Sequence, residues 1–304
     1  MTLGIQQRIR DLLRERDAIL IAHYYCVPEI HDVADFVGDS LGLSQEAARS
    51  PQQTVIFAGV HFMAETASIL CPEKTVILAN LEAGCPMADM IQPEDLEKRK
   101  AELPGVPVLT YVNSSAAVKA LSDICCTSAN VVAVLRSLEG ERILMTPDRN
   151  LALHSQKLVP EKEVLLWPGF CPTHHRINVK EVQELKEAHP EATVVAHPEC
   201  QPKVLALADV ITSTSGIIKH CSESPKREFI ILTEEGVLYP LRVRNPDKVF
   251  YTPKTPMICP NMKKNTLQNI LEALENLEPV IKVPTEIRLS ALKAVERMMA
   301  VPRD

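Results

Sequence analysis

The feature that most constrains this chain is a spacing. Cys-Pro occurs at Cys85-Pro86, Cys171-Pro172 and Cys259-Pro260, 86 and 88 residues apart. His23, Tyr111 and His197, each closing an apolar run, recur at intervals of 88 and 86 residues, and so do Ser40, Ser128 and Thr214. The runs TVIFAGV, RILMTPD and FIILTEE fall in the same phase. Identity between the repeats is very low, so what repeats is topology rather than residues. A period of 20 to 50 residues would mark a solenoid; one near 87 is long enough for a whole α/β unit.

Apolar, β-branched runs at 19–22, 54–58, 75–79, 106–110, 142–145, 193–196, 229–232 and 249–251 read as buried strands. Most precede segments of helical pattern, which is the signature of parallel sheets with crossover helices. The helical stretches include Ala116 to Leu121, Asn130 to Leu138, Val179 to His189 and Thr266 to Leu277, with Thr266 available as an N-cap. The expected fold is α/β: three analogous three-layer α/β/α units with parallel sheets around a pseudo-threefold axis, the site at its centre. The boundaries expected are 19–104 for the first unit, 105–190 together with the N-terminal segment 1–18 for the second, and 191–280 for the third. A helix over 281–304 completes the fold, and the N-terminal helix is free to pack on any unit. Length alone, 304 residues, would have predicted two domains.

In parallel sheets, ligands bind beyond the carboxyl ends of the strands. Three such ends meeting on one axis would make neighbours of residues nearly 90 apart and create one site. Cys85, Cys171 and Cys259 would then deliver one thiolate each to a common metal and leave a coordination position open. Spacing alone does not choose between zinc and iron–sulfur. Proline after each cysteine marks a helix start, where the dipole favours thiolate. Cys26, Cys71, Cys125, Cys126, Cys200 and Cys221 lie outside this phase and read as buried small hydrophobes.

The strand ends carry His23-Tyr24-Tyr25, Tyr111-Val112-Asn113 and His197-Pro198-Glu199, residue types suited to proton transfer and carboxylate recognition. Ser40, Ser128 and Thr214 at helix starts fit the binding of phosphate or carboxylate, or plain N-capping. His61, Arg149, His174, His175, Lys263 and Lys264 are further candidates, with surface or supporting roles as the simpler reading.

A net charge of −6 argues against nucleic acid as the main partner, and ten glycines leave no Walker loop or complete dinucleotide fingerprint. No run reaches membrane-spanning length, and the amphipathic segment at Ile5, Ile9, Leu12 and Leu13 is no signal peptide. A cytoplasmic setting, with nine reduced cysteines, is expected.

The motifs AHYY, GDS, GVHFMAETA, EAGCPMADM, TYVNSSAAVKA, CTSAN, WPGFCPTHH, VVAHPEC, STSG and CPNMKKNTL, in this order from residue 19 to 277, resemble the quinolinate synthase family. The resemblance implies three analogous α/β/α domains and a [4Fe–4S] cluster on Cys85, Cys171 and Cys259 with one iron open. It implies condensation of iminoaspartate (iminosuccinate) with dihydroxyacetone phosphate to quinolinate, releasing phosphate and two waters. His23, Ser40, Tyr111, Asn113, Ser128, His197, Glu199 and Thr214 match substrate-binding positions. Tyr25, Glu199, His197 and Tyr111 are the residues expected to carry the chemistry. The enzyme that produces the imine is an expected transient partner. Where many relatives read His-Asn-Tyr this chain reads His23-Tyr24-Tyr25, and the extra cysteines some relatives carry around the third ligand are absent. Two other readings stand beside this one: a zinc-dependent hydratase or aldolase acting on a small phosphate ester, and a non-catalytic iron–sulfur sensor.

Overall fold

The structure is a computed structural model describing residues 2–304. Three parallel four-stranded sheets follow one another along the chain. The first contains β1 (Ala18–His23), β2 (Phe36–Gly38), β3 (Thr54–Ala58) and β4 (Thr75–Leu78). The second contains β5 (Val108–Tyr111), β6 (Ile124–Cys126), β7 (Arg142–Thr146) and β8 (Glu163–Leu166). The third contains β9 (Thr193–Ala196), β10 (Val210–Ile211), β11 (Glu228–Leu232) and β12 (Val249–Tyr251). Their spatial orders, β2-β1-β3-β4, β6-β5-β7-β8 and β10-β9-β11-β12, are one topology used three times. The strands named pair in parallel, with Ile19 opposite Val55 in the first sheet and Leu109 opposite Met145 in the second, and a single antiparallel bridge joins Ile77 of β4 to Val280.

The apolar runs are continuous because both faces of each sheet are covered. Ile19, Ile21, Val55 and Phe57 point into a core cluster shared with residues of the other two sheets. The alternate residues Leu20, Ala22, Ile56 and Ala58 face helices on the far side. Separate outer clusters back the third sheet, around Val194 and Ile230, and the second, around Val108 and Leu144.

The helix Thr2–Glu15, left free to pack on any unit, lies against β1 and the helix Leu267–Asn276, and its Ile9 and Leu12 sit beside Ile270 and Leu274 in the cluster behind the first sheet. Residues 267–276, expected within 191–280, thus pack on the first sheet; Met1 lies outside the described residues. The helix Thr285–Ala300 covers β6 and the helix Ala116–Ala120 in the second unit and also touches the helix His61–Leu70. The reason is apolar area: the crossover from β1 to β2 holds only the four-residue helix Pro28–His31, and the helices Thr2–Glu15 and Leu267–Asn276 supply the cover for the outer face of the first sheet.

Two sets of polar staples repeat with residue identity. Asp35, Asp123 and Asp209, each just before a short edge strand, accept the backbone N–H of Leu20, Val108 and Val194 at 2.8, 2.7 and 2.8 Å. Lys74, Lys162 and Lys248, each just before the last strand of a sheet, donate to carbonyls at the end of the helix that leads into the third strand of the unit, such as Ala47 at 2.8 Å, Leu138 at 2.6 Å and Cys221 at 2.5 Å. Both sets satisfy backbone groups that the edge strands and helix ends leave unpaired.

Candidate active site at the strand ends

In the order found in each sheet, the chain reverses its direction of travel between the first and third strands, and the crevice opens at the carboxyl ends there. His23 and Tyr111 end the first strands of their sheets, and His197 follows the first strand of the third. These ends meet. One cavity of about 70 Å³ is lined by His23, Tyr25, Ser40, Tyr111, Asn113, Ser128, His197, Glu199 and Thr214 together with Cys85, Cys171 and Cys259. Every site residue expected from the sequence is on its wall. A larger cleft of about 630 Å³ lies outside it and shares Asp39 and Ser128 with it. Tyr24 and Pro198 face that cleft, while their neighbours in sequence face the cavity.

Hydrogen bonds cross between units throughout the cavity. Tyr111 Oη donates to Glu199 Oε1 at 2.6 Å. Glu199 Oε2 lies 2.7 Å from His174 Nδ1, and His174 Nε2 lies 2.9 Å from Thr233 Oγ1. Thr233 Oγ1 is 2.8 Å from Tyr25 Oη, which is 2.9 Å from Thr214 Oγ1. His197 Nε2 lies 3.2 Å from Ser128 Oγ, and its ring stacks on His174 with centroids 4.6 Å apart. The backbone N–H of Tyr25 donates to His23 Nδ1 at 3.1 Å and that of Glu199 to His197 Nδ1 at 3.3 Å. An Nδ1 that accepts leaves the hydrogen on Nε2, so both rings are neutral and present an Nε2–H donor.

The electrostatics agree. Burial pushes His23 down to about 4 and His197 down to about 3. For Glu199 burial acts to raise the carboxyl, but His197 and His174, with hydrogen bonds from His174 and Tyr111, outweigh it and hold the group ionised. Burial first, then the Glu199 charge, pushes the phenols of Tyr25 and Tyr111 well up, so both remain protonated. Around Glu199 the site sets a buried carboxylate beside two phenols and neutral imidazoles, an arrangement for moving protons, while Asp39 and Glu234 add two further buried carboxylates to the wall.

Ser40 and Thr214 do not cap their helices: Asp39 and Ser213 do, accepting from Gly42 and Gly216. Asn130 precedes the helix that follows Ser128. The three hydroxyls are thus left to other partners. Asn113 Oδ1 is buried with no hydrogen-bond partner, an acceptor on the cavity wall waiting for a donor.

The three phased cysteines are free and half-buried, and the other six are free, fully buried and absent from the cavity wall. Only Cys171 begins an α-helix, Pro172–His175; Cys85 and Cys259 precede short 3₁₀ turns. The expectation that helix starts favour thiolate is outweighed by burial, which pushes Cys85 up to about 12 and also raises Cys171 and Cys259. Backbone N–H groups of Met87 and Ala88, His174, and Asn261 and Met262 face the respective sulfurs and act in the opposite direction. Three neutral thiols on one cavity wall, each met by N–H donors, fit a metal group whose positive charge would ionise them.

Sequence reading undervalued His174, which is central to the network, and missed Thr233, Asp148 and Glu234. Asp148 Oδ2 accepts the N–H of Cys171 at 3.1 Å and Glu234 Oε1 that of Cys259 at 3.0 Å. Their sequence signal was available, since Val60, Asp148 and Glu234 share the period at intervals of 88 and 86. Lys263 pairs with Glu234 at 2.8 Å and donates to the carbonyl of Tyr25 at 2.6 Å. A Cβ at Gly236 would lie 2.8 Å from Tyr25 Cα, so only glycine lets this loop seat against Tyr25. His61, Arg149, His175 and Lys264 stay off the cavity wall; Arg149 stacks on Phe170 and His61 faces Glu65. No helix among the described residues is long and apolar enough to cross a membrane.

Comparison with known proteins agrees in extent as well as in kind. The profile of the family described as Quinolinate synthetase A protein matches residues 7–300. A quinolinate synthase of Geobacter metallireducens is 53% identical over 300 residues, 99% of this chain and 98% of that one. Those of Pelobacter propionicus, 51% identical over the full length of both, and Methanosarcina barkeri, 50% identical over 97% of each, are similar to it as well. This chain belongs to the quinolinate synthetase A family.

Proposed function

We propose that this chain forms quinolinate for NAD biosynthesis by joining iminoaspartate to dihydroxyacetone phosphate, with loss of phosphate and two waters. The observation that carries the reading is the single cavity in which three thiols, one from each unit, face an unbroken acid/base chain. The substrates bring two carboxylates and a phosphate. Ser40, Ser128 and Thr214 with the Nε2–H groups of His23 and His197 are the donors offered to them, and Asn113 Oδ1 accepts from an N–H or O–H of the ligand. Glu199, ionised, takes the proton released as the ring closes, while Tyr111 and His174 hold its two oxygens. Tyr25, protonated and held by Thr214 and Thr233, donates and recovers a proton during isomerisation. When bound on Cys85, Cys171 and Cys259, a [4Fe–4S] cluster supplies an iron with an open coordination position as Lewis acid. The imine is unstable in water, so delivery by brief contact with the enzyme that makes it belongs to this reading, as does a cytoplasmic setting.

One observation favours a second reading. The ligand atoms of Cys171, His174 and Glu199 lie within 4.8 Å of one another, a set that suits zinc. Anaerobic purification with iron, sulfide and zinc analysis separates the two. A brown protein with about four irons that makes quinolinate from the two substrates supports the first reading; a colourless one-zinc protein overturns it. Cys171→Ala is expected to lose the cluster, and retention of four irons would refute the ligand assignment.

A further inference from the structure

Residues 303–304, just beyond the helix Thr285–Ala300, bridge the first and second units beside Ser40 and Ser128. Arg303 makes a fork to Asp39, with Nη1 to Oδ2 at 2.6 Å and Nη2 to Oδ1 at 2.9 Å. Asp39 precedes Ser40 and caps its helix by accepting from Gly42 at 2.9 Å. The N–H of Asp304 donates to the carbonyl of Ala129, which follows Ser128, at 2.7 Å. The Asp304 carboxylate accepts from Val132 and Ala133 at 3.0 and 2.7 Å.

Asp39 creates a conflict that this contact resolves. It is nearly fully buried, lies on the cavity wall, and its charge is felt at both His23 and His197. An unpaired carboxylate there would repel the anionic groups that Ser40 and its neighbours are offered to bind, and the adjoining cleft screens it only in part. A fork of two charge-assisted bonds cancels that charge and fixes the start of the helix Ser40–Arg49. We propose that Arg303 is a positioning residue that neutralises Asp39, making the Ser40 corner of the cavity receptive to an anionic group of the substrate. The inference rests on the functional reading above, because it takes the substrates to be multiply anionic.

The test compares KM and kcat for both substrates in the cluster-loaded enzyme and in R303Q, R303K and D39N/R303Q. R303Q is expected to raise at least one KM about tenfold or more, the scale of one unpaired charge in a partly buried site, and to leave kcat within about threefold. D39N/R303Q removes the charge and keeps a capping side chain, so its KM is expected to return to within about threefold of the parent. R303K, which retains the charge, is expected to fall between the parent and R303Q. A parental KM in R303Q, or a double variant no better than R303Q, overturns the proposal. If R303Q does not fold, R303K and the double variant decide: a double variant with KM raised above that of R303K also overturns it. Parent enzyme that makes no quinolinate would count against the functional reading instead.

Discussion

The two ends of the sheets follow opposite rules. At the amino ends the same residue stands in all three units: aspartate at 35, 123 and 209, lysine at 74, 162 and 248. At the carboxyl ends equivalent positions hold different residues: His, Tyr and His at 23, 111 and 197; Tyr, Asn and Glu at 25, 113 and 199; Val, Asp and Glu at 60, 148 and 234. The amino-end staples each solve the same local problem, an unpaired N–H or carbonyl, so one answer serves three times. The carboxyl ends face one small, asymmetric ligand, and three identical walls could not bind it, ionise it and protonate it. A repeat therefore shows its ancestry of form where the work is structural and hides it where the work is chemical.

The sharpest way to break this contrast is Glu199→Gln. Loss of the only carboxylate in the relay is expected to lower kcat about a thousandfold or more while iron content stays unchanged. Turnover near the parent level would show that the carboxyl end is as structural as the amino end. Acid titration probes the same region through stability. His197, held neutral at about 3 in the fold against an ordinary value near 6.5, binds fewer protons folded than unfolded across that interval. Stability should then rise with pH from about 3 to about 6.5 and be lost as pH falls through the same window. In chemical denaturation of His197→Asn that slope is expected to be shallower, and an unchanged slope would place the titrating groups elsewhere.

Smaller effects belong to the staples. Asp123→Ala strands the N–H of Val108 and is expected to cost about 1–3 kcal/mol of unfolding free energy, with kcat retained in the folded fraction. Asp123→Asn, which keeps an acceptor, should recover part of that loss. Lys248→Met is expected to cost about 1 kcal/mol or less, since water can reach the carbonyls it serves. A staple variant that halved stability-corrected kcat would erase the distinction between the two ends.

The sequence made eight of the twelve strands legible, because parallel strands covered on both faces are unbroken apolar runs. The four missed are edge strands: β2, β6 and β10 carry two or three residues each and are set by pairing with their neighbours, and β8 buries only Val164 fully, so it presents no unbroken apolar run. The period exposed the convergence of the site before any contact was known. It did not expose His174, whose importance comes from the burial of its ring between Cys171, Glu199 and Thr233, residues up to 59 positions away. Nor did it assign the terminal helices, since an amphipathic stripe states that a helix must be covered and not what covers it.

The path from Tyr111 through Glu199, His174, Thr233 and Tyr25 to Thr214 has a property that only its list of owners reveals: each of its five links joins residues from two different sheets. On the function proposed above, no unit contains even one complete proton hop, and catalytic rate becomes a gauge of registry between units: a slip of a few tenths of an ångström at an interface far from the cavity is expected to register as lost turnover before it registers as lost fold.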